Sequence, residues 1–302
     1  MSRPRQVFPR SFYLLNRRCT QRQFLLRPGP VTNNAFLYCL IEAAQRFGIV
    51  VLLPMAESNH HHTVLYDPDG RYPQFAEHFH KMLARCLNAR WGRWENLWAA
   101  EEMCIPRLLT RDAVIDKLVY AAINPVKDHL VDTVAQWPGA NGYRHLISGR
   151  PMRAVRPAHF FREGGAMPAE VSMTLEIPEA LGPADELIAE VKARVAALEA
   201  SIRAERIRTG KRVLGRRVVL AQSWRSSPSS IEPRRVLRPR FAGATHARVP
   251  ALIAFREFLT EYRDARRHWL AGIRAVFPPG TYWLARFAAV PVARPPTTGS
   301  LE

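Results

Sequence analysis

Apolar residues change their period repeatedly along the first half of the chain, and each change marks an element. Residues 10–19, RSFYLLNRRC, hold a short apolar run bounded by charge and read as a first strand, with Arg17, Arg18 and Arg22 leaving a basic edge. Residues 31–47 place Phe36, Leu40, Ala43, Ala44 and Phe47 at helical intervals and stop at Gly48. IVVLLPM (49–55) is a continuous apolar run of strand length. HHTVLY (61–66) reads as another strand, closed by the turn residues DPDG. Helical spacing returns over 73–90, opening with a proline in the first turn. After a Trp-rich stretch at 91–98 and a short strand expected near 103–109, TRDAVIDKLVYAAI (110–123) makes a third helix. Thr110 is its expected N-cap, Asp112 suits its first turn, and Pro125 is expected to end it.

The order strand–helix–strand–strand–helix–strand–helix predicts an α+β fold, a ferredoxin-like or RRM-like antiparallel sheet with its helices on one face. Many functions share that architecture, so it names none of them. The pattern loosens over 150–183, where Pro and Gly recur and a linker is expected between residues 1–149 and a mainly helical accessory region, 184–302. In that region 184–207 and 251–273 read as long helices. The second carries Leu252, Phe255, Leu259, Tyr262, Ala265 and Trp269 near one core-facing stripe. FPPGTYWLARF (277–287) is expected to pack against it, and the tail ARPPTTGSLE to be disordered.

Charge narrows the choice of partner. The 302 residues carry 44 Lys and Arg against 26 Asp and Glu, a formal net charge of +18, which calls for a polyanion. No apolar run of about 18 residues offers a membrane span, and MSRPRQVFPRSF lacks the apolar core of a signal peptide. The expected partner is therefore nucleic acid rather than a membrane, and the expected place the cytoplasm, at the nucleoid. Between Arg203 and Arg248 thirteen Lys and Arg face two acids, Glu205 and Glu232, with Trp224 and Phe241 interspersed. Such a mixture attracts phosphates and stacks unpaired bases. Lys211, Arg212, Arg216, Arg217, Arg234 and Arg235 are the candidate contacts there. Cys19, Cys39, Cys86 and Cys104 are scattered without a CxxC pair, which argues against a zinc site or a disulfide framework and suits buried thiols in a reducing compartment.

Candidate chemistry begins at SNHHHTVLYD (58–67). Side chains on a strand alternate, so His60 and His62 point one way and His61 the other. Two imidazoles at i and i+2 make a compact pair of nitrogen donors for a divalent ion. Tyr120 and Asn124, four apart in VYAAINPVKDHLV (119–131), share a helix face, although a residue preceding proline is biased away from helix. Tyr66 lies on the same strand face as His62, but four strand residues put it roughly 13 Å away.

Taken in order, SNHHH, YAAINPV and WPGANGYRHL (137–146) resemble the single-tyrosine HUH transposases, in particular the REP-associated tyrosine transposases. RRCTQRQFLLRP (17–28) and LNARWGRWENLW (87–98) fit the usual order of that family, and the similarity covers about residues 8–147. It implies that His60 and His62 are metal ligands, that Asn124 takes the place of a third, helix-borne ligand, and that Tyr120 is the nucleophile. It further implies a bound Mg²⁺ or Mn²⁺, a 5′-phosphotyrosine intermediate, and single-stranded or hairpin DNA as substrate, with Lys127 among the DNA contacts and a monomer or homodimer as the working form. The chain departs from the family pattern at His61, normally a bulky apolar residue, and at Glu57, often Met. Strand parity makes both face away from the ligand pair. Two other functions share parts of this pattern: a non-catalytic or domesticated nucleic-acid binder on an RRM-like sheet, and an HUH replication initiator.

Overall fold

From the N-terminus, β1 (Ser11–Arg18), α1 (Pro30–Phe47), β2 (Val50–Ala56), β3 (His60–Asp67), α2 (Tyr72–Trp91), β4 (Arg107–Leu108) and α3 (Arg111–Lys127) follow in the order the periodicity predicts. The computed structural model describes residues 4–101, 103–230 and 239–294. Local sequence explains the boundaries. Gly48 and Gly92 take left-handed conformations (φ 67° and 60°) that close α1 and α2. The Thr110 side chain accepts a hydrogen bond from the Ala113 N–H at 3.2 Å, capping α3.

The chain continues through α4 (Gly142–Ser148), β5 (Met152–Val155), β6 (Glu170–Met173), α5 (Ala184–Thr209), α6 (Arg216–Ala221), β7 (Phe241–Ala242), α7 (Thr245–Leu270) and α8 (Trp283–Phe287). The main sheet has the order β2-β3-β1-β4-β7, antiparallel except that β7 runs parallel to β4. The β1–β3 ladder pairs Ser11 with Asp67 at one end and Arg18 with His60 at the other, without a break. That register sets Asn16 opposite His62 and Arg17 opposite His61, which decides the face each occupies.

The helices do not all lie on one face, and this corrects the expectation. α1 and α2 pack together on the face where His61 meets Phe36 and Phe79, while α3 covers the face where His62 meets Tyr120. The physical reason is in β2, where Val51, Leu52, Leu53 and Met55 are all buried. A continuous apolar run needs cover on both sides of its sheet.

Residues 150–183, expected as a linker, contain the β5–β6 antiparallel pair laid on α1. Side chains of α1 hold it: Asn34 Nδ2 donates to the Val155 carbonyl (2.8 Å), Tyr38 Oη to that of Pro168 (2.6 Å) and Gln45 Nε2 to that of Ser172 (2.9 Å). α5 then packs along α3, burying Leu187, Val191 and Val195 in the same core, with Arg194–Asp116 (2.8 Å) and Arg111–Glu190 (3.1 Å) pairs at its edge. On α7 the core stripe is narrower than expected. Phe255, Phe258 and Ala265 are buried, but Leu252 and Trp269 are each 38% exposed. Phe277 packs on Tyr262 (5.4 Å between rings), as 277–287 was expected to do. Cys19, Cys39 and Cys86 are buried and Cys104 partly so, all as free thiols. Among the described residues no helix is long and apolar enough to cross a membrane.

Candidate active site

His60 and His62 leave β3 on the α3 side with ring centroids 4.9 Å apart. Asn59 Oδ1 lies 2.7 Å from His60 Nδ1, so Nδ1–H donates to it and Nε2 keeps a free lone pair. Asn59 is itself fixed, its Nδ2 donating to the Arg22 carbonyl at 3.2 Å. Glu57 enters from the β2–β3 turn, which its own N–H closes by donating to the His60 carbonyl (2.9 Å). Contrary to the expectation from strand parity, its carboxylate faces the histidines: Oε1 lies 3.1 Å from His60 Nε2. Parity fails because β2 ends at Ala56 and alternation does not carry through a turn. His61 does point away, its Nε2 2.8 Å from His80 Nε2.

Pro125 does not end α3. It sits inside the last turn, and the Asp128 N–H still reaches the Asn124 carbonyl at 3.0 Å. Proline there forfeits the hydrogen bond its missing N–H would make and crowds the Ala121 carbonyl, yet the helix runs on to Lys127. Asn124 therefore stays on the helix face of Tyr120. Its Nδ2 lies 2.5 Å from Glu57 Oε1, 3.0 Å from His60 Nε2 and 3.2 Å from His62 Nε2. One amide donor thus stands among three acceptors. The ligating atoms of Glu57, His60 and His62 all lie within 4.8 Å of one another, so the group can hold a metal ion. Two imidazole nitrogens and a carboxylate oxygen suit a divalent first-row ion.

Tyr120 packs edge-on against His62, ring centroids 5.1 Å apart, and is half-buried. The Lys117 and Lys127 ammonium groups stand 5.3 and 5.8 Å from its ring. Burial raises its pKa, and the charges of Glu57 and Asp128 raise it further. Burial opposes protonation of His60, but the Glu57 carboxylate outweighs it and the pKa is raised. His62 is held neutral by burial and by His60. Tyr66 packs on Phe12 (4.7 Å) at the far end of β3. A groove of about 990 Å³ opens beside Tyr120, lined among others by Asn16, Thr110, Lys117, Phe241, His246 and Arg248.

The remaining candidates scatter around this centre. Arg18, opposite His60, shares the site's face and pairs with Glu101 at 3.4 Å. Arg17 lies on the other face, its guanidinium 5.3 Å from the Trp98 ring centroid, and is not brought to the site. Arg22 donates to the Ser230 carbonyl (2.6 Å) and Oγ (3.0 Å). Lys127 is exposed beside Tyr120. Lys211, Arg212, Arg216 and Arg217 are exposed on a segment tied to the end of α3, where the Leu214 and Gly215 N–H groups donate to the His129 (2.9 Å) and Leu130 (3.0 Å) carbonyls. Arg234 and Arg235 lie outside the described residues.

WPGANGY acts on the scaffold. Buried Trp137 donates its indole N–H to the Ala56 carbonyl (2.8 Å), and the Ala56 N–H donates to the Ala140 carbonyl (2.9 Å), gripping the strand end that leads to Glu57. Gly139 is required by that grip, since a Cβ there would stand 2.5 Å from the Ala56 carbonyl oxygen. Sequence reasoning missed Glu57 and Lys117 as members of the site. Glu57 was visible as a departure from the family pattern. The i, i+3 spacing of Lys117 and Tyr120 was the only sign of the other.

No family model matches the sequence, and no curated protein matches it. Among solved structures, a REP-associated tyrosine transposase bound to a REP hairpin is similar over 49% of this chain and 86% of its own, at 14% identity and a TM-score of 0.42. A candidate transposase from Deinococcus radiodurans R1 is similar over 35% of this chain and 84% of its own, at 18% identity and a TM-score of 0.28. At these scores neither likeness speaks to activity.

Proposed function

We propose that the protein is a metal-dependent enzyme that cuts and rejoins single-stranded or hairpin DNA, a transposase-type reaction with Tyr120 as nucleophile. One observation carries this reading. Glu57, His60, His62 and Asn124 converge on a single point, with the Tyr120 ring against one of the imidazoles at 5.1 Å. The order of motifs in the sequence supports the same roles.

Glu57, His60 and His62 would hold the ion. When bound, it neutralises the anionic phosphate oxygens and aligns the scissile group for in-line attack. Nitrogen-rich ligation favours Mn²⁺ over Mg²⁺, which prefers oxygen. Asn124 fixes the Glu57 carboxylate by donating to it. Lys117 and Lys127 flank the phenol ring, where they would meet the phosphates of incoming DNA. Tyr120 Oη bonds to phosphorus while the P–O3′ bond breaks. The departing oxygen takes up a proton as a 3′-hydroxyl, and the phosphate stays on Tyr120 as a 5′-phosphotyrosine. Attack by a 3′-hydroxyl on that phosphorus reverses the step, so joining needs no nucleoside triphosphate.

The test is incubation with labelled single-stranded DNA from the flanks of the gene, with Mn²⁺, followed by denaturing gels. A protein-linked product is expected, absent with EDTA and absent for Tyr120→Phe. Cleavage that survives both treatments would remove Tyr120 and the metal from the mechanism.

A further inference from the structure

Away from the site, at the C-terminal end of α2, two tryptophans from distant parts of the chain stack. Trp91 and Trp224 have ring centroids 5.5 Å apart and an interplanar angle of 24°. Guanidiniums flank them: Arg90 stands 4.6 Å from the Trp91 ring centroid, and Arg225 and Arg93 stand 5.0 and 5.7 Å from that of Trp224. Three residues beyond Trp91, Trp94 is 98% exposed. We propose that this cluster is a binding platform for unpaired DNA, on which Trp94 stacks bases while the arginines take the phosphates.

Packing alone explains part of the arrangement. Trp224 belongs to a segment held by Arg27, which donates to the Gln222 carbonyl (2.6 Å), and by the Phe24 N–H, which donates to that of Ser226 (2.9 Å). The Trp91–Trp224 stack helps to dock it. Packing does not explain the charge. Among the described residues no carboxylate pairs with Arg90, Arg93 or Arg225. Guanidiniums gathered without a counter-charge repel one another, and a polyanion relieves that repulsion. Nor does packing explain an indole left wholly in water. Indoles with intervening guanidiniums are the surface that binds single strands through base faces and backbone together.

The platform also connects to the proposed site. Arg93 donates to Gln23 Oε1 (3.2 Å), Gln23 follows Arg22, and the Arg22 carbonyl accepts from Asn59, which orients His60. A strand leaving the histidines past Arg22 would be led toward Gln23 and Arg93, at the edge of the platform. The inference therefore deepens the proposed function and rests on it for its substrate class.

The test keeps the two apart. Binding of fluorescent oligo-dT of about twenty nucleotides, long enough to span the platform, is titrated by anisotropy in EDTA, so neither metal nor Tyr120 chemistry contributes. Trp94→Ala, which removes an exposed side chain and should leave thermal unfolding unchanged, is expected to weaken binding by about five- to fiftyfold, with Trp94→Phe keeping most of the affinity. Arg225→Ala should lower the salt slope by about one. A Trp94→Ala affinity within about twofold of the parent's, or equal losses on duplex and single strand, overturns the platform. Adduct formation by the unmodified protein is read separately with Mn²⁺. Its failure, alongside the Trp94 effect, overturns the nuclease reading and leaves the platform standing.

Discussion

Glu57 stands where the resembled family often has methionine, and its carboxylate meets His60 and Asn124 rather than solvent. If it ligates the ion, Glu57→Gln keeps a hydrogen-bonding partner for Asn124 but removes the anionic ligand. Mn²⁺ affinity by titration calorimetry is then expected to fall roughly tenfold or more. An unchanged affinity would leave the two histidines to bind alone. His61 presents a separate question of stability. It and His80 are buried, held neutral chiefly by that burial, and joined Nε2 to Nε2 at 2.8 Å. His61→Leu strands the His80 nitrogen and should cost about 1–3 kcal/mol, while adding His80→Leu should return part of it, because it removes that nitrogen and leaves only the buried Thr63 hydroxyl without its His61 partner. Urea denaturation of the single and double variants measures the difference. At this scale the sequence was legible where one rule governed. Alternation along β3 placed all three histidines correctly. It failed at Glu57, where the strand had already ended, and the proline rule pointed Asn124 out of a helix that in fact includes it.

Elements were legible where apolar periodicity was long. β1, α1, β2, β3 and α2 all lie within a residue or so of their expected bounds. A proline misled once, since Pro125 sits inside the helix it was expected to end, and α7 begins at Thr245, six residues before its expected start, with Pro250 inside it. The β5–β6 pair was hidden because four-residue strands among Pro and Gly carry too little pattern, and because their partner, the outer side of α1, is remote in sequence. α3 carries the most consequence, since it alone bears both Tyr120 and Asn124. Its N-cap lies nearly four turns from Asn124, so cap and chemistry can be separated. Thr110→Ala should cost about 1 kcal/mol in chemical denaturation while the yield of the Tyr120 adduct stays unchanged. A lost adduct would mean that the helix start also shapes the neighbouring groove.

On the scale of the whole molecule, the charge excess was plain from composition, but the way the second half attaches was not. Helical periodicity says that α5 is amphipathic; it cannot say which surface receives it. The receiving surface is α3, the helix with the proposed nucleophile, and Leu187, Val191 and Val195 are all buried there. Burying each such side chain contributes about 1.5–3 kcal/mol, so the three together contribute roughly 5–9 kcal/mol, comparable to the net stability of a typical domain. A chain cut after residue 149 would expose that face of α3 to water. It is therefore expected to lose cooperative thermal unfolding by circular dichroism. A chain cut after residue 230 should keep it, since it retains α5, and the later aromatic cluster of Phe241, Phe255 and Phe258 is a separate one. If the shorter chain melts as sharply as the whole, residues 1–149 form an independent unit and α5 is an appendage to it. If it does not, the helix presenting Tyr120 depends on the second half of the chain for its position, and the accessory region belongs to the active site's scaffold.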